Sequence, residues 1–250
     1  MALKDRWAAG ETTYGIWSGL DDPVAVEVIG RSGFDFVVID LQHGFATMSS
    51  SAALLINSLH TTPSIPVVRV PWNTPDLMMR ALDLGAEGVI VPLVNNAADA
   101  RLAAAACRYA PAGNRSWGPL WTNARRVLTD SPEGDRMATC ILMIETAEGF
   151  ANLEDIVRVD GAHAVYVGPN DLSLSMGFGR TRYPDSPELH SLIETIIDTA
   201  HAAGVAAGVD CNGAEEAHHW RDRGADFVIS DTDSVLLLQA SEAAARALRS

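Results

Sequence analysis

The sequence predicts an α/β fold, a single (β/α)8 barrel, and three observations carry that expectation. Its 250 residues are an ordinary length for one such barrel. Eight short apolar runs can be counted, each followed by a segment of helical pattern. No stretch of linker or disordered composition interrupts the alternation, so residues 1–250 are expected to form one domain.

Residues 13–18, TYGIWS, read as the first strand, and Asp22-Pro23 then opens a helix with Val24, Val28 and Ile29 turned inward. Proline is tolerated in the first helical turn, where its missing N–H costs least. Residues 34–40, FDFVVID, are the second strand, and Ser49 to Ser51 cap a helix through about Leu59. The third strand, 65–70, runs into Pro71-Trp72-Asn73; Thr74-Pro75 opens a helix through Leu82, with Asp83 near its end and Gly85 beyond. Residues 88–94 are the fourth strand, followed by an alanine-rich helix over 97–109.

The longest irregular stretch, 110–123, contains PAGNRSWGPLW and is expected to be a lid or binding loop; residues 125–138 are expected to be partly helical. Strands five and six, 140–144 and 162–167, flank a crossover in which Leu153, Ile156 and Val157 give a helix one face to bury. A helix over 186–203, a seventh strand over 205–211, a helix over 214–223, an eighth strand over 227–230 and a terminal helix over 235–249 complete the chain.

Composition narrows the function. A hydrophobic share of 48% with 20% charged residues describes an ordinary globular protein with material for a sizeable core. A net charge of −14 offers nothing to neutralise phosphates, which argues against nucleic acid and against anionic membranes. No apolar stretch reaches the roughly 20 residues that span a bilayer, and MALKDRWAAG lacks a signal-peptide core. Cys107, Cys140 and Cys211 are odd in number and embedded in apolar patterns, so a reducing cytoplasm is expected. The single lysine, Lys4, lies in a polar N-terminal extension before any strand, which leaves no amine for Schiff-base catalysis, pyridoxal phosphate or a P-loop.

Parallel strands joined by right-handed crossovers end on one rim, where barrel active sites lie. That rim gathers Asp40 and His43, Arg69, Pro92, Glu145, Asn170 and Asp171, and Asp210. Glu145 and Asp171 end neighbouring strands. Two carboxylates there repel unless a proton or a cation intervenes, and hard oxygen ligands suit magnesium or manganese. Read alone, the pair is equally well a helix cap and a solvated loop acid. His43 is the natural general base, with Asp40 three residues earlier to orient its imidazole; the alternative is a loop histidine. Arg69, closing an apolar strand, needs an anionic partner, either a substrate oxyanion or a neighbouring carboxylate. His60, His190, His201, His218 and His219 fall on helices and read as solvated faces, and His163 lies toward the opposite rim. Trp17, Trp72, Trp117 and Trp121 read as packing residues, with an aldehyde pocket as the alternative.

The segments FDFVVIDLQHG, VRVPWN, RALDLGAEGVIVPLVNNAADA, RYAPAGNRSWG, IETAEGFANLEDI and VGPNDLSLSMG, in this order, resemble the HpcH/HpaI aldolases of the phosphoenolpyruvate and pyruvate barrel superfamily. The resemblance implies a class II aldolase that interconverts 4-hydroxy-2-oxo acids, or 2-keto-3-deoxy sugar acids, with pyruvate or a hydroxylated relative plus an aldehyde. It implies Glu145 and Asp171 as ligands of a divalent metal, magnesium or manganese with cobalt as a further fit, and His43 as the base. Arg69 then matches the arginine that stabilises the transition state, and Asp83 the acid that raises the basicity of the histidine. The segment Gly168, Pro169, Asn170 and Asp171 matches the one that holds the pyruvyl carboxylate. In this chemistry the metal stabilises an enolate as a Lewis acid. The resemblance also implies a homo-oligomer, a hexamer built as a trimer of dimers, with the terminal helix exchanged between subunits.

Two departures stand out: Gln42 where many members carry Glu, and Met143 where many carry a glutamine that contacts substrate. Within the superfamily, a lyase acting on a malyl or citramalyl coenzyme A thioester is the alternative, for which Arg125 and Arg126 are the main basic residues. A catalytically silent barrel that binds an oxo acid is a third.

Overall fold

In the computed structural model, which describes residues 1–118 and 130–249, eight parallel strands close into a barrel in sequence order. They are β1 (Thr13–Ser18), β2 (Phe36–Asp40), β3 (Ile65–Arg69), β4 (Gly88–Val91), β5 (Thr139–Ile144), β6 (Ala164–Val167), β7 (Ala206–Cys211) and β8 (Phe227–Thr232). The expected strands are all present. The second is shorter at its start, and the fourth stops before Pro92, which has no N–H to offer the ladder.

Alternation along each strand divides the core in two. Phe36, Val38, Val67, Ile90, Ile141, Tyr166, Phe227 and Ile229 pack together inside the barrel. Val37, Ile39, Val68, Val89, Leu142 and Val165 face outward under the helices. Gly208 makes room for the large interior rings, since a Cβ there would lie 2.2 Å from the Phe227 ring.

Between the strands run α2 (Pro23–Gly30), α3 (Ser50–Leu59), α4 (Pro75–Asp83), α5 (Ala97–Ala106) and α6 (Ser131–Met137). They are followed by α7 (Ala147–Ala151), α8 (Leu153–Val157), α9 (Pro169–Ser175), α10 (Pro187–Ala202), α11 (Gly213–Asp222) and α12 (Asp233–Ala247). Asp22 caps α2 through hydrogen bonds from Val24 N and Ala25 N, and Ser49 caps α3, as the sequence predicts. Leu153, Ile156 and Val157 are all buried. Trp121, Arg125 and Arg126 lie outside the described residues, as do residues 119–123 of the long loop.

Two expectations need correction. Val24 and Val28 of α2 face solvent at 68% and 63% exposure, while Val26 and Gly30 are buried. The stripe that packs is the one carrying Gly30, whose missing side chain admits Leu59 of the neighbouring helix. The N-terminal extension is also not a solvated tail. Residues Leu3–Ala8 form a helix, α1, that buries Leu3 and Trp7 among the barrel interior residues, with Trp7 stacked on Phe227 at 4.5 Å.

That plug carries Lys4 to the end of the barrel opposite the rim, where its Nζ donates to the carbonyls of Asp135 and Ala138 at 2.8 Å. His163 lies beside it, 3.5 Å from Nζ, and accepts from Cys140 N at 3.0 Å through Nδ1. Burial, with Lys4 and Arg108 nearby, pushes the His163 imidazole down to about 4. The unfolded chain therefore takes up this proton first, so the stability is present above about pH 6.5 and is lost as pH falls toward 4. Denaturant titrations at pH 7 and pH 4.5 should show the wild type losing roughly 2 to 3 kcal/mol more than His163→Gln. Equal losses would contradict a neutral buried imidazole.

Candidate active site

The carboxyl-terminal rim opens into a cavity of about 380 Å³, room for a small oxo acid and a short aldehyde. Of the residues singled out in the sequence, Trp17, Asp40, His43, Arg69, Met143, Gly168, Asn170, Asp171 and Asp210 line it, while Glu145 and Pro169 lie behind that lining.

Arg69 and Asp40 form a fork-to-fork pair, Nε to Oδ1 at 2.9 Å and Nη2 to Oδ2 at 2.6 Å, with both side chains about one-tenth exposed. Burial alone would push the Asp40 carboxyl up, but the Arg69 guanidinium and the N–H groups of Gln42 and His43 outweigh it and hold the group low. Arg69 also lies 4.2 Å from the centre of the Trp17 ring. The pair thus fixes a permanent cation in the cavity wall. Asp40 does not orient the His43 imidazole, as the sequence reading has it. Its carboxylate is spent on Arg69 and on the backbone of the turn that carries His43, at 3.0 Å from Gln42 N and 3.3 Å from His43 N. His43 itself is exposed at the mouth.

Glu145, 3% exposed, leaves the end of β5 and accepts from Leu93 N at 2.7 Å through Oε1. Leu93 holds φ at 55°, a left-handed value costly for a leucine. That strain turns its N–H toward the carboxylate. Burial and the nearby Asp171 carboxylate push the Glu145 carboxyl up, against the pull of Leu93 N–H and Arg69. A Cβ on Gly168 would lie 3.2 Å from Glu145 Oε2, so the glycine keeps space open beside that oxygen.

This donor set fits a divalent cation: two acids, Glu145 just past the end of β5 and Asp171 in the first turn of α9, the former fixed and buried with an oxygen that no donor among the described residues reaches. No group of three or more His, Cys, Asp or Glu among the described residues is arranged to enclose an ion, so the remaining positions would fall to water and substrate oxygens.

Asp83 is not brought to this cavity within the chain. It ends α4 and pairs with the buried Arg115 at 2.8 Å. Conversely, the sequence reading assigned no role to Tyr166, which braces the cavity wall. Trp17, read as a packing residue with an aldehyde pocket as the alternative, lines the cavity and donates through Nε1 to Asp210 at 2.8 Å. Tyr166 donates to the same oxygen at 2.7 Å, and burial pushes the Asp210 carboxyl up. A tyrosine within the apolar run AVYV was the available signal, because a buried hydroxyl needs a partner. His190 and His219 are not solvated faces either, since they bond each other at 3.0 Å within a cluster of Tyr183 and Trp220.

A closed barrel with acids, an arginine and a histidine on its carboxyl-terminal rim defines an enzyme of the α/β-barrel class. The chain belongs to the HpcH/HpaI aldolase/citrate lyase family, whose profile matches residues 13–240. It is 38% identical to a 4-hydroxy-2-oxo-heptane-1,7-dioate aldolase of Salmonella dublin over 247 residues, 98% of this chain and 93% of the relative. Among solved structures, an HpcH/HpaI aldolase/citrate lyase family protein from Burkholderia cenocepacia J2315 superposes with a TM-score of 0.90 at 28% identity, covering 99% of each chain. The citrate synthase SbnG superposes at 0.86 with 30% identity, covering 99% of this chain and 98% of its own. By this membership the protein is a carbon–carbon lyase of the aldolase type.

Proposed function

We propose that the protein is a class II aldolase that cleaves and forms 4-hydroxy-2-oxo acids, with pyruvate or a hydroxylated relative as the donor. The observation that carries this reading is the buried Glu145 carboxylate close to Asp171 and beside the open face of Gly168, with Asp171, Gly168 and Arg69 lining one cavity. Magnesium, manganese or cobalt bound by the two carboxylates would serve as a Lewis acid for the 2-oxo acid.

The chain's own residues supply the remainder. The N–H groups of Asn170 and Asp171, in the first turn of α9, suit the donor carboxylate. Arg69, held by Asp40, meets charge developing on the keto oxygen without reorganisation. His43 at the mouth exchanges a proton with the hydroxyl or aldehyde oxygen. A coenzyme A thioester is disfavoured, because Arg69 is the one Lys or Arg side chain lining the cavity among the described residues, and it is already engaged.

Leu237 and Leu238 of α12 stand 60% and 59% exposed, which supports a homo-oligomer; a hexamer with exchanged terminal helices is the form the family suggests. Three free cysteines fit a cytoplasmic enzyme.

Proton NMR of pyruvate in deuterated water tests the reading without any choice of aldehyde. With magnesium or manganese the methyl signal should decay, and an excess of chelator should stop the decay. Exchange that persists after exhaustive chelation would refute a metal-dependent aldolase.

A further inference from the structure

The cavity has two unlike sides. Gly168, Asn170 and Asp171, with Glu145 beside them, stand on the arc of β5 and β6, where the oxo acid is placed above. The arc of β7, β8 and β1 carries Asp210, Asp231 and Trp17, none of which has a part in the donor chemistry. An acceptor aldehyde must extend toward this second arc.

Asp210 is held rigidly and only half used. Trp17 Nε1 and Tyr166 Oη both donate to its Oδ1, at 2.8 and 2.7 Å, and no donor among the described residues reaches Oδ2. Asp231 lines the same cavity in a left-handed conformation, φ 63°, which aspartate tolerates better than most residues. Among the described residues, the arginines nearest to them are already paired. Arg69 is forked onto Asp40, and Arg182 is forked onto Glu216. Among the described residues, a carboxylate brought to this end of the cavity would meet two acids and no unpaired arginine or lysine. A hydroxyl, in contrast, finds a fixed, unsatisfied acceptor.

On the footing of the proposed aldolase reaction, we propose that Asp210 selects uncharged, hydroxylated aldehydes and rejects those that end in a carboxylate. The curated relatives are named for a heptane-1,7-dioate, whose second carboxylate lies at the far end of the molecule. Cleavage of such a substrate breaks the C3–C4 bond, with the C4 hydroxyl proton lost and a proton gained at C3. It leaves pyruvate and a four-carbon aldehyde that keeps the distal carboxylate. The selectivity is therefore opposite to that of an enzyme serving the dioate, and it arises from repulsion as much as attraction.

The test compares kcat/KM for condensation of pyruvate with glyceraldehyde and with succinic semialdehyde, using the full-length protein with manganese. Glyceraldehyde should be favoured by at least about tenfold. Asp210→Asn keeps an oxygen for Trp17 and Tyr166 while removing the charge, and should move the ratio toward succinic semialdehyde by about tenfold, chiefly through KM. Asp231→Asn should move it in the same direction, so the test survives if the first variant does not fold. A wild type that prefers succinic semialdehyde, or a ratio unmoved in both variants, overturns the proposal. If pyruvate neither exchanges its methyl protons nor condenses with either aldehyde, the aldolase reading fails and the selectivity fails with it. Exchange with the opposite acceptor preference defeats the selectivity alone.

Discussion

Glu145→Gln is expected to lower kcat/KM for aldol turnover by roughly three orders of magnitude, while the protein stays folded and, without metal, melts no lower than the wild type. The amide oxygen of glutamine can still accept from Leu93 N–H, so the local backbone keeps its anchor. What changes is the second atom. Where Oε2 stands beside Gly168, the variant presents an NH2 group, a donor that faces a cation with the wrong sign. The same substitution removes a buried negative charge that repels Asp171, so stability and activity should move apart. Manganese binding by calorimetry, thermal melting and initial rates together decide the matter. A variant that binds manganese and turns over normally would remove Glu145 from the reaction.

Arg69→Ala should be damaging in two separable ways. Loss of a preorganised cation at the keto oxygen should cost about 10² to 10³ in kcat. Loss of the fork strands the Asp40 carboxylate in a buried place, which should cost about 3 to 5 kcal/mol of stability. Arg69→Lys separates the two effects. It returns the charge and should recover part of the stability, but a single ammonium cannot serve both Asp40 oxygens and a substrate at once. Its rate should therefore stay near that of the alanine variant. A lysine variant of full activity would mean that Arg69 contributes charge alone.

Sequence pattern revealed the barrel well because its signals are short-ranged. Apolar runs, Pro at first helical turns and Ser or Asp caps place the eight strands and most of the helices within a few residues of where they lie. The helix α1 escaped because six residues with a central Lys-Asp-Arg give too little period to read; its burial depends on Phe227, more than two hundred residues away. The face of α2 escaped because it is apolar nearly all round, so only packing against α3 decides which stripe is inside.

At the site, residue types that announce chemistry were legible: His43, Arg69, Glu145 and Asp171. What sequence could not express is pairing. Asp40 lies three residues from His43 in the chain, but its partner is Arg69 on the next strand. Leu93 gives no signal at all, because its contribution is a backbone N–H and a strained φ.

The carboxylate of Asp233 accepts from Ser18 Oγ, Gly19 N and Leu20 N, so the first residue of the last helix grips the exit of the first strand. That grip spans the β1 to β8 seam, the one strand pairing with a register shift among those described. During synthesis the seam must wait until nearly the whole chain has emerged, and its contacts are the most distant in sequence that the barrel makes. The proposed acceptor side of the cavity draws on both edges of this seam, whereas Glu145 and Asp171 follow the adjacent strands β5 and β6. On the proposed assignment, an incomplete chain gathers its metal ligands before it has any means of choosing an aldehyde, and selectivity is the last property the enzyme acquires as it folds.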